Sequence, residues 1–233
     1  MKLHFILLII LLLSKTLYGR EVGETEITTE DGIEVFQNEK FYLLKKNVKI
    51  ESDDFLLNAN EVKINFDKSL YDITELAAKG EVDFISNIFE IKGKGKFLNF
   101  KVKAEQLKVE GIDSELITKD VKMLSDGFIE INNLNGDFNL KGPNSKLLNE
   151  NILIVAESID GTFIDFPDNK EIKFLEVYDK NLSYIKNKDT EMYAKKINFD
   201  NDNSIIELID NVTIIRNEEK ITGDYGTLDT TNN

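Results

Sequence analysis

Cysteine and tryptophan are absent from the 233-residue chain, and proline occurs only twice, as Pro143 and Pro167. Without cysteine there is neither a disulfide framework nor a thiolate metal site. The single histidine, His4, lies at the start of the chain, so the remainder has no imidazole. This excludes Ser-His-Asp and Cys-His catalysis and the usual zinc ligand sets. Catalysis by carboxylate groups alone is not excluded.

Basic residues are scarce: 29 lysines and arginines stand against 43 aspartates and glutamates, a formal net charge of −14. Removal of the first 19 residues, which carry Lys2 and Lys15 and no acid, brings the charge to about −16. A nucleic-acid partner needs a basic footprint, so the composition predicts none. The 41% of hydrophobic residues is enough for a folded core.

The first 19 residues have the pattern of an export signal. A short basic start is followed by an apolar run from Phe5 to Leu13, and small Gly19 stands before the expected cut. A membrane-spanning helix needs about 20 apolar residues, and Lys15 ends this run too early. We predict a cleavable signal over residues 1–19 and one domain over residues 20–233. Retention of the segment as an N-terminal anchor is the alternative.

From about Val35 onward the chain alternates apolar and polar residues in short runs, as in Val62-Lys63-Ile64-Asn65-Phe66. Period 2 with β-branched and aromatic residues predicts half-buried strands. Gly80, Gly111, Asp126-Gly127 and Asp160-Gly161 are predicted turns. Residues 69–79 have weak helical spacing and are left open as loop or strand.

One unit recurs: an apolar residue, any residue, Ala or Gly, two mostly polar residues, then apolar again. Its five copies cover residues 57–64, 102–109, 154–159, 192–199 and 221–228. In the first copy Leu57 and Ala59 are odd-numbered, whereas Val62 and Ile64 are even-numbered. A straight strand would expose one of these sets, so the parity shift predicts a corner or bulge. The small residue gives the bent backbone room.

The spacing between copies is irregular, which favours a rolled sheet over a strict solenoid. The glycine–lysine stretch at residues 91–96 is followed by a strand rather than a helix. It therefore predicts a turn with solvated lysines rather than a phosphate-binding loop.

Two segments, residues 47–67 and 211–231, align without a gap on Asn-Val-x-Ile, a turn and then the repeated unit. The clearest part of the pattern is residues 47–66 and 211–228, with Gly80-Glu81-Val82-Asp83-Phe84 between them. This pattern resembles the OstA-like domain of the LptA family, the periplasmic lipopolysaccharide-transport bridge. The resemblance runs from about residue 45 to the end. The chain departs from the family in predicted extra loop sequence at residues 140–150 and 166–173.

The resemblance implies an all-β, twisted, open-ended jelly roll of bent antiparallel strands, located in the periplasm. It implies no enzymatic activity and no cofactor. Its apolar interior would hold the acyl chains of lipopolysaccharide, and the parity pattern selects eleven groove candidates: Val48, Ile50, Val62, Ile64, Phe66, Val82, Phe84, Phe100, Val102, Val212 and Ile214. The implied partners are lipopolysaccharide and, through edge-strand docking, LptC-like inner-membrane and LptD-like outer-membrane proteins. End-to-end self-association is a further expectation.

Two other functions stay open at this stage. The first is a membrane-anchored subunit of LptC type in the same pathway. The second is a β-fold hydrolase of cell-envelope glycans that uses two carboxylates; many acids qualify, but no pair stands out.

Overall fold

The computed structural model describes residues 23–164 and 171–230, so the predicted signal, residues 1–19, lies outside the described residues. The described part of the chain forms sixteen strands and no helix, hence no helix able to cross a membrane. The strands are β1 (Glu26–Thr28), β2 (Ile33–Phe36), β3 (Phe41–Glu51), β4 (Phe55–Phe66), β5 (Ile73–Ser86), β6 (Ile91–Lys101), β7 (Gln106–Glu110), β8 (Ser114–Ile117), β9 (Lys122–Ser125), β10 (Phe128–Asn132), β11 (Asp137–Leu148), β12 (Ile152–Phe163), β13 (Ile172–Asn187), β14 (Thr190–Asp200), β15 (Ile205–Arg216) and β16 (Glu219–Asp229).

All sixteen strands belong to one antiparallel sheet in which most neighbours in the chain are neighbours in space. β7 and β8 together occupy the place of one long strand, because β6 pairs with β7 along one half and with β8 along the other. β9 and β10 likewise stand together in the position of one long strand, and both pair with β11. The sheet therefore consists of long bent strands, two of which are interrupted at the bend.

The bend lies at the same level in every long strand. Two residues of one strand oppose a single residue of the next: 46–47 face Asn60, 80–81 face Lys96, and 210–211 face Asp224. This is the arrangement of a β-bulge, which re-aims the strand and restores the same face to the core. Lys46, Asn47, Glu81, Asp210 and Asn211 all have positive φ there.

A row of small buried residues follows this corner across the sheet: Ala59, Ser114, Ser125, Ser145, Ala156, Ser183 and Ala194. The serines donate hydrogen bonds to backbone carbonyl groups beside the interruption of the ladder. Ser114 Oγ donates to the Gly111 carbonyl at 2.8 Å, Ser145 Oγ to that of Gly142 at 2.8 Å, and Ser183 Oγ to that of Lys195 at 3.2 Å. The small side chains therefore make room for the bend and, where they are serines, satisfy its polar groups.

The corner divides the sheet into two arms. The first arm comprises 41–45, 61–66, 73–79, 97–101, β7, β10, 137–141, 158–163, 172–178, 196–200, 205–209 and 225–229; the second comprises 48–51, 55–59, 82–86, 91–95, β8, β9, 145–148, 152–156, 183–187, 190–194, 212–216 and 219–223. The buried residues of both arms form one hydrophobic cluster, so the arms close on each other with their apolar faces inward. The predicted fold class, an all-β jelly-roll-like sheet of bent strands, is confirmed.

The copies at residues 57–64, 154–159 and 192–199 do bend at the predicted place. The copy at residues 102–109 does not, and the prediction that Val102 faces the interior is wrong. Val102 and Ala104 lie in the hairpin turn between β6 and β7, where Glu105 has a φ of 45° and its N–H donates to the Val102 carbonyl. Val102 is consequently 36% exposed.

Four predicted interruptions lie within strands instead. Residues 91–96 belong to β6, and most of the predicted loop at residues 140–150 belongs to β11, whose corner contains Pro143. Gly80 lies in the corner of β5, and Asp160-Gly161 lies inside β12. Of the segment left open, residues 69–72 form a turn and β5 begins at Ile73. Of the second predicted loop, residues 165–170 lie outside the described part.

Candidate functional site: an apolar cleft at the C-terminal end of the sheet

An apolar cavity of about 110 Å³ lies between the two arms near the C-terminal end of the sheet. The first arm contributes Leu175, Phe199 and Ile206, and the second arm contributes Ile154, Ile185 and Met192. The remaining lining residues are Ile152, Ile172, Asn187 and Thr230. We call this cavity, together with the mouth described below, the terminal cleft.

Aromatic pairs pack the middle of the sheet, farther from the C-terminus. The ring centroids of Phe138 and Phe163 are 4.5 Å apart, and those of Phe89 and Phe100 are 6.3 Å apart. Towards β16 the pair Tyr184 and Tyr193, with ring centroids 5.0 Å apart, lies on the outer face, and mostly aliphatic side chains such as Ile206 line the interior. The interior is therefore filled in the middle and incompletely filled at the C-terminal end.

The last strand leaves this end of the interior open. On the inner face of β16, Gly223 and Gly226 stand on either side of the corner and contribute no side chain. A Cβ at Gly226 would find only ordinary contacts, the nearest with Val212 at 3.4 Å. Ile221, on the same face, is 63% exposed. Within the described chain β16 pairs only with β15, so its other edge has no strand partner.

A polar mouth adjoins the apolar cavity. A second cavity of about 120 Å³ shares Asn187, Met192, Ile206 and Thr230 with the first and adds Lys188, Asp189, Thr190, Arg216 and Leu228. Arg216 is the only arginine in the described part of the chain, where it is exposed and makes no recorded ion pair. The terminal cleft thus has an apolar floor and a mouth with two cations and one acid.

Several groups with a shifted pKa are absent from the lining of the terminal cleft. Hydrogen bonds from neighbouring side chains lower the pKa of four carboxyl groups, and burial raises the pKa of the Tyr42 hydroxyl; the carboxyl groups are Asp67, Glu115, Asp126 and Asp200. None of these five residues lines either cavity. The described residues also hold no group of three or more acids that could bind a metal ion.

The eleven groove candidates occupy three kinds of environment. Val102 is exposed, and Phe100 and Ile214 are partly buried against the core. The other eight are less than 9% exposed: Val48, Ile50, Val62, Ile64, Phe66, Val82, Phe84 and Val212. None of the eleven lines either cavity of the terminal cleft.

Sequence reasoning missed the lining residues Ile172, Ile185, Ile206 and Arg216. One signal was present in the last copy of the repeat, where glycine replaces alanine at Gly223 and a second glycine follows at Gly226. Two glycines on an inward face predict an interior that the chain itself does not fill.

No protein-family model matches the chain, and the search of curated proteins finds no match. Among solved structures, the chain is similar to LptH of Pseudomonas aeruginosa, described as the LptA-homologous periplasmic component of the lipopolysaccharide transport device. The TM-score is 0.40 and the identity 12%, over 47% of this chain and 76% of that one.

Proposed function

We propose that this protein is a lipid-binding component of lipopolysaccharide transport, which holds acyl chains of its cargo in the terminal cleft. The observation that carries the proposal is the cavity between the arms, with apolar side chains from both and an open, polar mouth. A concave apolar site with a few polar groups at its rim is the usual form of a site for an amphiphilic ligand. Arg216 and Lys188 at the mouth match the phosphate groups of such a lipid.

The place of the protein in the pathway follows from the resemblance of its sequence to the LptA family. We propose that the signal over residues 1–19 sends it to the periplasm, where it bridges LptC-like and LptD-like proteins. The free edge of β16 supports docking by strand addition, because unpaired backbone groups accept a further strand. End-to-end association of copies uses the same edge.

The two other functions make different demands. A two-carboxylate hydrolase needs a pair of acids across its cleft, roughly 5 to 9.5 Å apart. Among the residues lining the terminal cleft, Asp189 is the single acid. An LptC-type subunit would keep its N-terminal segment, so N-terminal sequencing of the protein from cells separates the two transport roles. Loss of residues 1–19 favours the bridge.

Site-specific photocrosslinking in living cells tests the lipid site. A photoreactive side chain at Ile206 or at Leu228, which is only partly buried at the edge of the sheet, should yield an adduct with lipopolysaccharide. Lys63, on the outer face of the first arm, is the control position and should yield none. Equal capture from Lys63, or no capture from both cleft positions in folded protein, would contradict the proposal.

A further inference from the structure

The outer face of the second arm carries two rows of lysines and apolar side chains. Each residue of the first row lies opposite the next one in the neighbouring strand; the row is Ile85, Lys92, Ile117, Lys122, Leu148, Leu153 and Lys186. The second row, paired in the same way, is Lys94, Glu115, Leu124, Lys146, Val155, Tyr184 and Tyr193. We call this surface the lysine face. At about 4.8 Å per strand, its first row spans about 29 Å.

The lysines of this face present their charge to solvent. Lys94 and Lys186 are 58% and 48% exposed. Lys94 and Lys122 share one acid, Glu115, which is only 17% exposed beneath them. Lys92 and Lys146 have no ion-pair partner among the described residues. Lys186 lies 3.5 Å from Glu191, and Asp83 lies opposite Lys94. Five lysines against three acids leave this face with a net positive charge.

The opposite face of the molecule has the reverse balance over the same part of the sheet. From β6 to β12 the outer face of the second arm carries Lys92, Lys94, Lys122 and Lys146 with the single acid Glu115. The outer face of the first arm carries Lys101, Lys108 and Lys141 with Glu110, Glu130, Asp137 and Asp160. In a chain of net charge −14, the acids of this region are thus concentrated on the first arm, and the second arm keeps a net positive charge.

The apolar members of the lysine face are half-buried rather than covered. Ile117, Leu124, Leu153 and Tyr184 each leave part of their surface in solvent between the lysines. Exposed apolar surface and clusters of lysines are both features of protein surfaces that contact membranes. The lysine charges are spread along the whole face and do not converge on one point, which fits a continuous anionic surface better than a single anion.

We propose that the lysine face docks on the surface of an anionic phospholipid bilayer. Basic clusters are attracted to anionic leaflets over about a Debye length, and the acidic remainder of the chain is repelled. The same charges that draw this face to the bilayer therefore orient the molecule on it. The terminal cleft opens between the arms and not through the lysine face, so surface docking does not require lipid in the cleft.

Sedimentation with lipid vesicles tests the docking. Protein isolated from expressing cells should bind vesicles of phosphatidylglycerol, and 0.5 M salt should release it. Vesicles of phosphatidylcholine should bind it weakly or not at all. The combined change Lys92→Gln, Lys94→Gln and Lys146→Gln should weaken binding to phosphatidylglycerol roughly tenfold or more.

The matched control is the combined change Lys101→Gln, Lys108→Gln and Lys141→Gln, which removes the same charge from the first arm and should leave binding nearly unchanged. Equal loss in both triple variants would show that only net charge matters and would overturn the proposal. Binding to neither lipid, or to both equally, would overturn it as well, without touching the function proposed for the cleft.

Discussion

In the register of β5 and β6, Gly93 lies directly opposite Phe84, and the Phe84 ring occupies the space in which a Cβ at position 93 would stand. The backbone carbonyl of Glu115 limits that space on the other side, 3.1 Å from the same Cβ position. Glycine is therefore required inside a strand, where it normally weakens the structure. It allows Phe84, which is 1% exposed, to pack close to the next strand.

Gly93→Ala should lower the free energy of unfolding by about 1–3 kcal/mol, because the added methyl group displaces the Phe84 ring or the strand that carries it. Urea unfolding monitored by circular dichroism measures the change. Gly223→Ala is the matched control, since a Cβ there meets nothing closer than 3.5 Å. A smaller loss for Gly93→Ala than for the control would contradict the packing described.

Ala194→Leu tests the row of small residues at the corner. Ala194 is fully buried opposite Ser183, next to the bulge at Lys195, so three extra carbon atoms have no space there. We expect a loss of about 1–3 kcal/mol in the free energy of unfolding. Ala77→Leu, on the outer face of the first arm, adds the same atoms and should cost little. Equal costs at both positions would show that the corner tolerates large residues.

Arg216→Gln should weaken binding of purified lipopolysaccharide by roughly tenfold or more, because a charge-assisted hydrogen bond to phosphate would be lost at the cleft mouth. Arg216 is exposed and unpaired among the described residues, so the unfolding temperature should not change. Displacement of a fluorescent lipid probe measures the affinity. Lys220→Gln, an exposed change of equal charge on β16, is the control. Unchanged affinity in the Arg216 variant would exclude this residue from headgroup binding.

The lowered pKa of Glu115 makes the free energy of unfolding depend on pH in the acid range. The hydrogen bond from Lys122, with Lys94 nearby, lowers the pKa of the Glu115 carboxyl in the folded chain. The unfolded chain therefore binds the proton more readily. The stabilisation is complete above the ordinary glutamate pKa of about 4.3, and it is lost as the pH falls through the lower folded value.

Urea unfolding at intervals between pH 6 and pH 3 should reveal this loss. Lys122→Gln removes the main cause of the lowered pKa, so the variant should lose less stability on acidification than the unmodified protein. Lys119→Gln, an exposed change close by, should keep the full acid dependence. An identical acid dependence in the Lys122 and Lys119 variants would contradict the assignment.

Side-chain parity alone was enough to predict the bend. The shift from Leu57 and Ala59 to Val62 and Ile64 placed a corner that the structure puts at Asn60. The same signal was misleading at Val102, because a hairpin turn changes parity as a bulge does. A hairpin turn and a bulge differ only in which strands pair with each other, and a single sequence does not show strand pairing.

Glycine and proline caused the other errors. Residues 91–96 were predicted to form a turn, but Gly93 lies in β6, where the Phe84 ring leaves no room for a side chain. Residues 140–150 were predicted to contain extra loop, but Gly142 and Pro143 form the corner of β11. Both reasons depend on side chains or strands distant in sequence. The cleft lining was missed for a related reason: the spacing of Ile172 and Ile206 shows that they face inward, but not that the opposite arm leaves a gap.

The order of strands in the sheet has a kinetic consequence. Most hydrogen-bonded neighbours are consecutive in the chain, as with β3 to β6 and β11 to β16. Each strand therefore reaches its partner by closing a short loop, and such closures cost little chain entropy and are rapid. Although the fold is all-β, it can grow one hairpin at a time as the polypeptide emerges. Among the described strands β16 emerges last, so its edge is the last to be formed.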